Sequence, residues 1–410
     1  MPWRETSPME ERLALIREYE SELFTMTELA TQYGISRKTA YKWLGRYASE
    51  RAEGLRDRSR RPHASPHATD ATLVQALLAC RRRHPRWGAK KLLAVVARRQ
   101  PDAEWPSPST VCTLLKRHGL IEARRRRARS LHAPASPVPP ITAVNQVWTT
   151  DFKGEFRTGD GRYCYPLTLR DGFSRFVLRC DAFLGRTTAL TRHRFERAFR
   201  DYGLPERIRS DNGGPFASPG LGRLSQLSVW WMRLGIVPER IAPGHPEQNG
   251  SHEQFHSVLA AETARPPAPN CTAQQQRFRR FRREYNEERP HEALGNQPPA
   301  DSYIPSGRPF PRRLLPLEYP GHTEVRLVSS NGCVSWNGGP QFVGAALAGE
   351  YVAFEEIDDG LWTLYFATVA LARYDERHGQ FHPLAGGVTS GRSAGCAGSA
   401  PDVKNGKRHA

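Results

Sequence analysis

The chain has 410 residues, with 60 Lys and Arg against 42 Asp and Glu, a formal charge of +18 and a pI near 10.0. That is too long for one ordinary core, so several modules are expected around a polyanionic partner. No apolar run of about eighteen residues occurs and the opening MPWRETSPMEERLALIREYE is charged, so neither a membrane-spanning helix nor a secretory leader is expected, and a cytoplasmic location is expected.

The charge is uneven: residues 1–132 hold 27 Lys and Arg against 14 Asp and Glu. Such asymmetry points to nucleic acid. The seven cysteines, at 80, 112, 164, 180, 271, 333 and 396, stand singly, which excludes a zinc ribbon or a Cys-x-x-Cys redox site.

Residues 9–47 predict three short helices, the first with an apolar stripe at Leu13, Ile16 and Tyr19. Between the second and third, Gly34 suits a left-handed turn, Ile35 a core plug and Ser36 an N-cap. This is a helix-turn-helix layout for residues 1–62, presenting Arg37, Lys38, Thr39 and Lys42 to a DNA groove. The basic linker that follows, with Arg58, Arg60 and Arg61, suits phosphates. Residues 68–132 predict a second helical DNA-binding domain, whose first helix ends in Arg81, Arg82 and Arg83. The Arg124–Arg127 run and a Pro-rich stretch mark its boundary.

From Val147 the pattern changes to strands over 147–157, 162–171 and 174–183, with Gly159-Asp160-Gly161 as a hairpin turn. A helix at 187–201, a strand ending at Asp211, a helix near 223–234, a strand at 236–241 and helices at 251–263 and 272–287 follow. Residues 141–303 therefore predict a mixed sheet between helices, and residues 320–378 a small β-barrel. Trp336, Phe342, Trp362 and Phe366 are expected in that barrel's core. The Gly- and Ser-rich stretch 385–410 is expected to be a disordered tail. On the 272–287 helix, Arg277, Arg279, Arg280, Arg282 and Arg283 interleave with Phe278, Phe281 and Tyr285, giving a face for phosphates or a plain solvated face.

Three acids stand where a mixed sheet brings acids together: Asp151 in the first strand, Asp211 at the end of the fourth, and Glu253 on the first turn of a helix. Phosphodiester chemistry builds charge on the attacking and leaving oxygens, and hard cations held by carboxylates stabilise both.

At these residues the chain resembles the integrase-like (DDE) transposases of bacterial insertion sequences, relatives of retroviral integrases. The resemblance rests on Trp148-x-x-Asp151-Phe152-Lys153-Gly154, on Ser210-Asp211-Asn212-Gly213-x-x-Phe216, and on Pro243-Gly244-His245-Pro246-Glu247-Gln248-Asn249-Gly250 leading to Glu253. It continues in Tyr285-Asn286-x-x-Arg289-Pro290-His291. It implies a multidomain α/β chain: all-α helix-turn-helix modules, a ribonuclease-H-like mixed-sheet catalytic core and a small C-terminal β-barrel. It makes Asp151, Asp211 and Glu253 the catalytic, metal-binding triad for two Mg²⁺ or Mn²⁺ ions, with Gln248 and Asn249 near DNA. Glu247 is a rival third acid, but the family's glutamate falls three positions after the glycine, at Glu253. Where the family usually flanks that glutamate with basic residues, this chain has Ser251 and Gln254.

The activity implied is that of a transposase. Metal-activated water frees a 3′ hydroxyl at the element's end, and this attacks target DNA without a covalent protein intermediate. The implied partners are double-stranded DNA and further copies of the chain on it, associated with the nucleoid; no membrane is involved, and no ATP, since the phosphate-loop pattern is absent. Two rival readings are a catalytically inactive helix-turn-helix regulator and a ribonuclease H acting on RNA–DNA hybrids.

Overall fold

The computed structural model describes residues 7–59, 68–121, 139–218, 221–241, 250–384 and 389–390. The chain divides into two units, residues 1–70 and 71–410. Arg60, Arg61, Glu247, Gln248, Asn249, the Arg124–Arg127 run, Cys396 and the expected tail, apart from 389–390, lie outside the described residues.

In the first unit, α1 (Pro8–Glu20) and α2 (Met26–Gln32) each open on a reciprocal cap, Ser7 with Glu10 and Thr25 with Glu28. Gly34 takes φ +61° and Ser36 caps α3 (Arg37–Glu50) through the Thr39 amide, as the sequence predicts. Leu15, Met26, Leu29 and Ala40 form one cluster, Ile16, Trp43 and Leu55 another. Each fully buried side chain of this size contributes about 1.5–3 kcal/mol. The Arg12 guanidinium lies 3.9 Å from the Trp43 ring and donates to the Leu55 carbonyl at 2.7 Å, closing the third helix onto the first.

The second unit starts with α4 (Ala71–Arg83), α5 (Ala89–Arg99) and α6 (Pro108–Arg117), packed around Leu77, Trp87, Leu92, Val96, Val111 and Leu115. Basic residues of α4 and α5 turn to acids of the following domain. Arg83 donates to Glu288 at 2.9 Å, Lys90 to Glu292 at 2.9 Å and Arg98 to Asp301 at 2.6 Å. His84, stacked on Trp87, lies 2.8 Å from Glu284.

The central sheet holds β1 (Val147–Phe152), β2 (Phe156–Arg157), β3 (Tyr163–Asp171), β4 (Val177–Phe183), β5 (Arg207–Ser210) and β6 (Val237–Arg240). Across it the order is β4-β3-β1-β5-β6, with β2 paired to the start of β3. Strands β1, β5 and β6 are parallel; β3 runs against β1, and β4, antiparallel to β3, runs with β1 again. Alternation along β1 and β3 sends Trp148, Phe152, Leu167 and Leu169 to one face. There they meet α7 (Thr188–Tyr202) and α8 (Gln226–Arg233) through Phe195, Phe199, Trp230 and Trp231. On the other face α9 (Gly250–Thr263) and α10 (Cys271–Glu287) bring Phe255, Leu259, Phe278 and Phe281 against Cys164, Val177 and Cys180. This is the expected helix-sheet-helix core.

The outward edge of β4 is bonded by side chains of α10. Gln275 accepts from the Ala182 amide and donates to the Cys180 carbonyl, Asn286 does the same at Val177, and Arg282 donates to the Leu178 carbonyl. A strand edge left bare would be a template for further pairing.

The last domain has β7 (Glu324–Leu327), β8 (Cys333–Trp336), β9 (Gly339–Phe342), β10 (Tyr351–Asp358), β11 (Leu361–Phe366), β12 (Val369–Asp375) and β13 (Gln380–Pro383). Five of them, with the two-residue strand Thr389–Ser390 against β12, form a six-stranded antiparallel sheet in the order β13-β12-β11-β10-β7, beside a β8–β9 hairpin turned by Asn337 and Gly338, both at positive φ. Among the described residues the sheet does not close on itself as the expected barrel would. Trp336 stacks on Phe354 at 3.8 Å and Phe366 is fully buried. Phe342 is 52% exposed, against expectation, because β9 pairs only with β8 and its outer side meets no second layer.

Candidate metal centre

Register places the two aspartates. Parallel β1 and β5 pair Thr149 with Arg209, and continuing two residues along each strand sets Asp151 level with Asp211 at the carboxyl end of the sheet. Burial and the nearby Asp211 charge push the Asp151 carboxyl up to about 7, and the Glu253 charge pushes the same way. Asp211 is also raised, chiefly by burial. Its Oδ1 is buried without a hydrogen-bond partner. Gly213 makes room for this carboxylate, since an added Cβ would stand 3.0 Å from Oδ2. The turn is held by Asn212, which donates to the Ile241 carbonyl at 2.9 Å.

Glu253 stands on the first turn of α9 with its side chain exposed. Among the described residues no three His, Cys, Asp or Glu side chains form a ready-made metal cage. The two aspartates come together, then, while the glutamate reaches Asp151 through its charge. The donor set still suits a hard cation: clustered carboxylates whose ionisation burial and mutual repulsion oppose, and one buried oxygen without a donor.

Side chains that the sequence reading did not single out fix α9 to the sheet. His252, 1% exposed, lies 3.0 Å from the Thr149 hydroxyl through Nδ1 and 2.6 Å from the Thr168 hydroxyl through Nε2. His256 Nε2 lies 2.8 Å from the same hydroxyl and its Nδ1 is 3.7 Å from Asp151 Oδ2. Arg170, 3% exposed, donates to the Ser251 carbonyl at 3.0 Å and sits 4.6 Å from the Phe255 ring. The one sequence signal for this clamp is the four-residue spacing of His252 and His256, which puts both on the face that meets the strands.

In the first unit Arg37, Lys38 and Lys42 are exposed on α3, while the Thr39 hydroxyl lies 2.9 Å from that of Ser36. Arg58 pairs with Glu50.

Comparison with known proteins agrees with this layout. Residues 141–246 and 234–299 match families described as integrase core domain, residues 11–63 a helix-turn-helix domain, and residues 39–115 a homeodomain-like domain. Residues 323–381 match the C-terminal domain of the IS481 family transposases. The chain is 26% identical over 239 residues to the 31.7 kDa protein of insertion element IS407 from Burkholderia multivorans, spanning 58% of this chain and 83% of that protein. It is 27% identical over 252 residues to the 39.2 kDa protein of insertion element IS476 from Xanthomonas euvesicatoria, spanning 61% and 70%. Among solved structures, the HTLV-2 integrase catalytic core domain in complex with magnesium aligns at 15% identity and a TM-score of 0.32, over 40% of this chain and 98% of that one. A simian T-cell lymphotropic virus intasome chain aligns at 15% identity and a TM-score of 0.36, over 71% and 96%.

Sheet order, paired aspartates and matched domains define an integrase-core protein with helix-turn-helix DNA-binding domains. More particularly, the integrase-core matches, the IS481 transposase C-terminal domain and the two insertion-element relatives make the chain similar to insertion-sequence transposases.

Proposed function

We propose that this chain binds the ends of a mobile DNA element, cleaves them and joins their 3′ hydroxyls to target DNA, with Asp151, Asp211 and Glu253 as the carboxylates that hold Mg²⁺ or Mn²⁺. Two such ions, when bound, supply charge stabilisation at the attacking and leaving oxygens of a phosphodiester. The observation that carries the reading is the Asp151–Asp211 pair at the carboxyl ends of parallel β1 and β5, with Asp211 Oδ1 buried and unpartnered. Two buried carboxylates this close repel one another, and a cation relieves that repulsion.

The remaining residues position and bind. Thr168, His252, His256 and Arg170 hold the start of α9 against the sheet, so that Glu253 faces the same end as the aspartates. Arg37, Lys38, Thr39 and Lys42 address the element's end from the first unit, with Arg58, Arg60 and Arg61 on phosphates and Gln248 and Asn249 beside the substrate. Holding two ends at once calls for several copies on DNA, and the setting is the bacterial cytoplasm, at the nucleoid.

The test is a nicking and strand-transfer assay with Mg²⁺ or Mn²⁺ on DNA bearing the element's terminal inverted repeats. Asp211→Asn is expected to bind that DNA as the parent does and to leave it uncut. Strand transfer at the parent's rate by that variant would remove the carboxylate mechanism.

A further inference from the structure

Helices α7 and α10 cover opposite faces of the sheet and both overhang the edge strand β4, leaving a groove of about 860 Å³ that shares no lining residue with the acidic site. Its floor is neutral: Arg179 pairs with Asp181 at 2.9 Å and lies 3.8 Å from Asp201. Its walls are not. Arg194 and Arg197 face in from α7, and Arg279, Arg280 and Arg283 from α10, and none of the five makes an ion pair with another described residue. Arg194 Nε is buried with no hydrogen-bond partner, its guanidinium 5.6 Å from the Phe183 ring. Only Glu287 remains as an uncommitted acid in the lining.

The same helix supplies a contrast. Where α7 carries arginines outside the groove, Arg192 and Arg200 flank Glu196 at 3.3 and 4.0 Å, the spacing by which a solvated helix face balances its charge. Within the groove that balancing is missing, and clustered guanidinium groups without counter-charge repel one another.

We infer that this groove is a second anion-binding surface of the chain, and that it takes the sugar-phosphate backbone of duplex DNA lying outside the acidic site. Arg279 and Arg283 stand one turn apart, about 6 Å along the axis, close to the ~6.8 Å that two nucleotide steps advance along one strand. The guanidinium groups are spread along two helices instead of converging, which suits a polymer backbone better than a small anion. A second copy of the same face would set arginine against arginine. No exposed apolar side chain lines the groove for insertion into lipid. The inference rests on the proposed DNA transaction for its partner alone, since binding here needs neither the acidic residues nor a metal.

The experiment measures binding of the full chain to a duplex of about 30 base pairs lacking the terminal repeats, in chelator, across a range of salt. Each phosphate contact contributes about 0.9 to the slope of log affinity against log salt. Arg197→Gln/Arg279→Gln/Arg283→Gln is expected to lower that slope by about 2–3 and weaken binding at least tenfold at 0.1 M salt. The matched Arg→Lys triple is expected to keep the parent's slope, and Arg192→Gln/Arg200→Gln to leave binding unchanged. An unaltered slope in the Gln triple overturns the inference. So does equal loss in the Lys triple, which would report a folding defect, or a change in sedimentation with duplex affinity intact, which would make the face a contact between copies. Without divalent ions no strand is cut, so failure here leaves the Asp211→Asn test standing on its own.

Discussion

Thr168 and His252 meet across the sheet–helix boundary, hydroxyl oxygen to Nε2, at 2.6 Å. The hydroxyl also faces the Asp151 carbonyl at 3.1 Å and His256 Nε2 at 2.8 Å. It has one proton to give and the carbonyl can only accept, so that proton goes to Asp151 and both imidazoles donate through Nε2. Burial keeps both rings neutral, lowering His252 well below the ordinary range and His256 to about 3. Thr168→Val leaves two buried imidazole donors without partners. The expected cost is about 2–3 kcal/mol, seen as a thermal midpoint lower by several degrees, with Thr168→Ser restoring most of it. An unshifted midpoint in the valine variant would remove the clamp.

The Asp151 carboxyl gives a pH dependence of known sign. Its folded value, about 7, lies above the ordinary 3.8, so the folded state binds the proton more tightly than the unfolded one. Metal-free protein therefore loses stability as pH rises from about 4 to 7, by at most about 4 kcal/mol. Asp151→Asn is expected to melt higher than the parent at pH 8 in chelator and alongside it at pH 4. Because a metal must displace that proton, Mn²⁺ affinity of the parent should climb about tenfold per pH unit up to about 7 and then level off. Calorimetric titration at four pH values checks this; a flat profile from pH 5.5 to 8 would refute it.

His84 joins the second helical segment to the core through Glu284. That contact holds the Glu284 carboxyl below its ordinary value of 4.5, so its stabilisation is present above that pH and fades as pH falls through the folded value. Glu284→Gln is expected to speed amide exchange in α4 and α5 at pH 7, while wild type should approach the variant's rates as pH falls through the lowered folded value. Equal exchange in the two proteins at pH 7 would show that the pair does not hold the segment.

Local rules carried the sequence reading a long way. Ser36 and Gly34 announce their turn because capping and left-handed geometry depend on a few neighbouring atoms, and period-two alternation places Trp148 and Asp151 on opposite faces of β1. That Asp151 and Asp211 would end neighbouring strands at one margin of the sheet was legible from motif and position. What stayed hidden depends on partners far along the chain. Arg83, Lys90 and Arg98 look like DNA-reading charge until Glu288, Glu292 and Asp301 are seen opposite them. Thr168 is an unremarked strand residue until α9 arrives 84 positions later. Phe342 carries no sign in its own neighbourhood that its strand will lack a covering layer.

The bonding of β4 by Gln275, Arg282 and Asn286 has a consequence for assembly. With those backbone groups engaged, neighbouring cores cannot merge into one continuous sheet at this margin, even where many copies crowd along a single DNA molecule. Any contact between copies of the core must form elsewhere, and the same side-chain amides guard the chain against fibrous self-association wherever its local concentration is high.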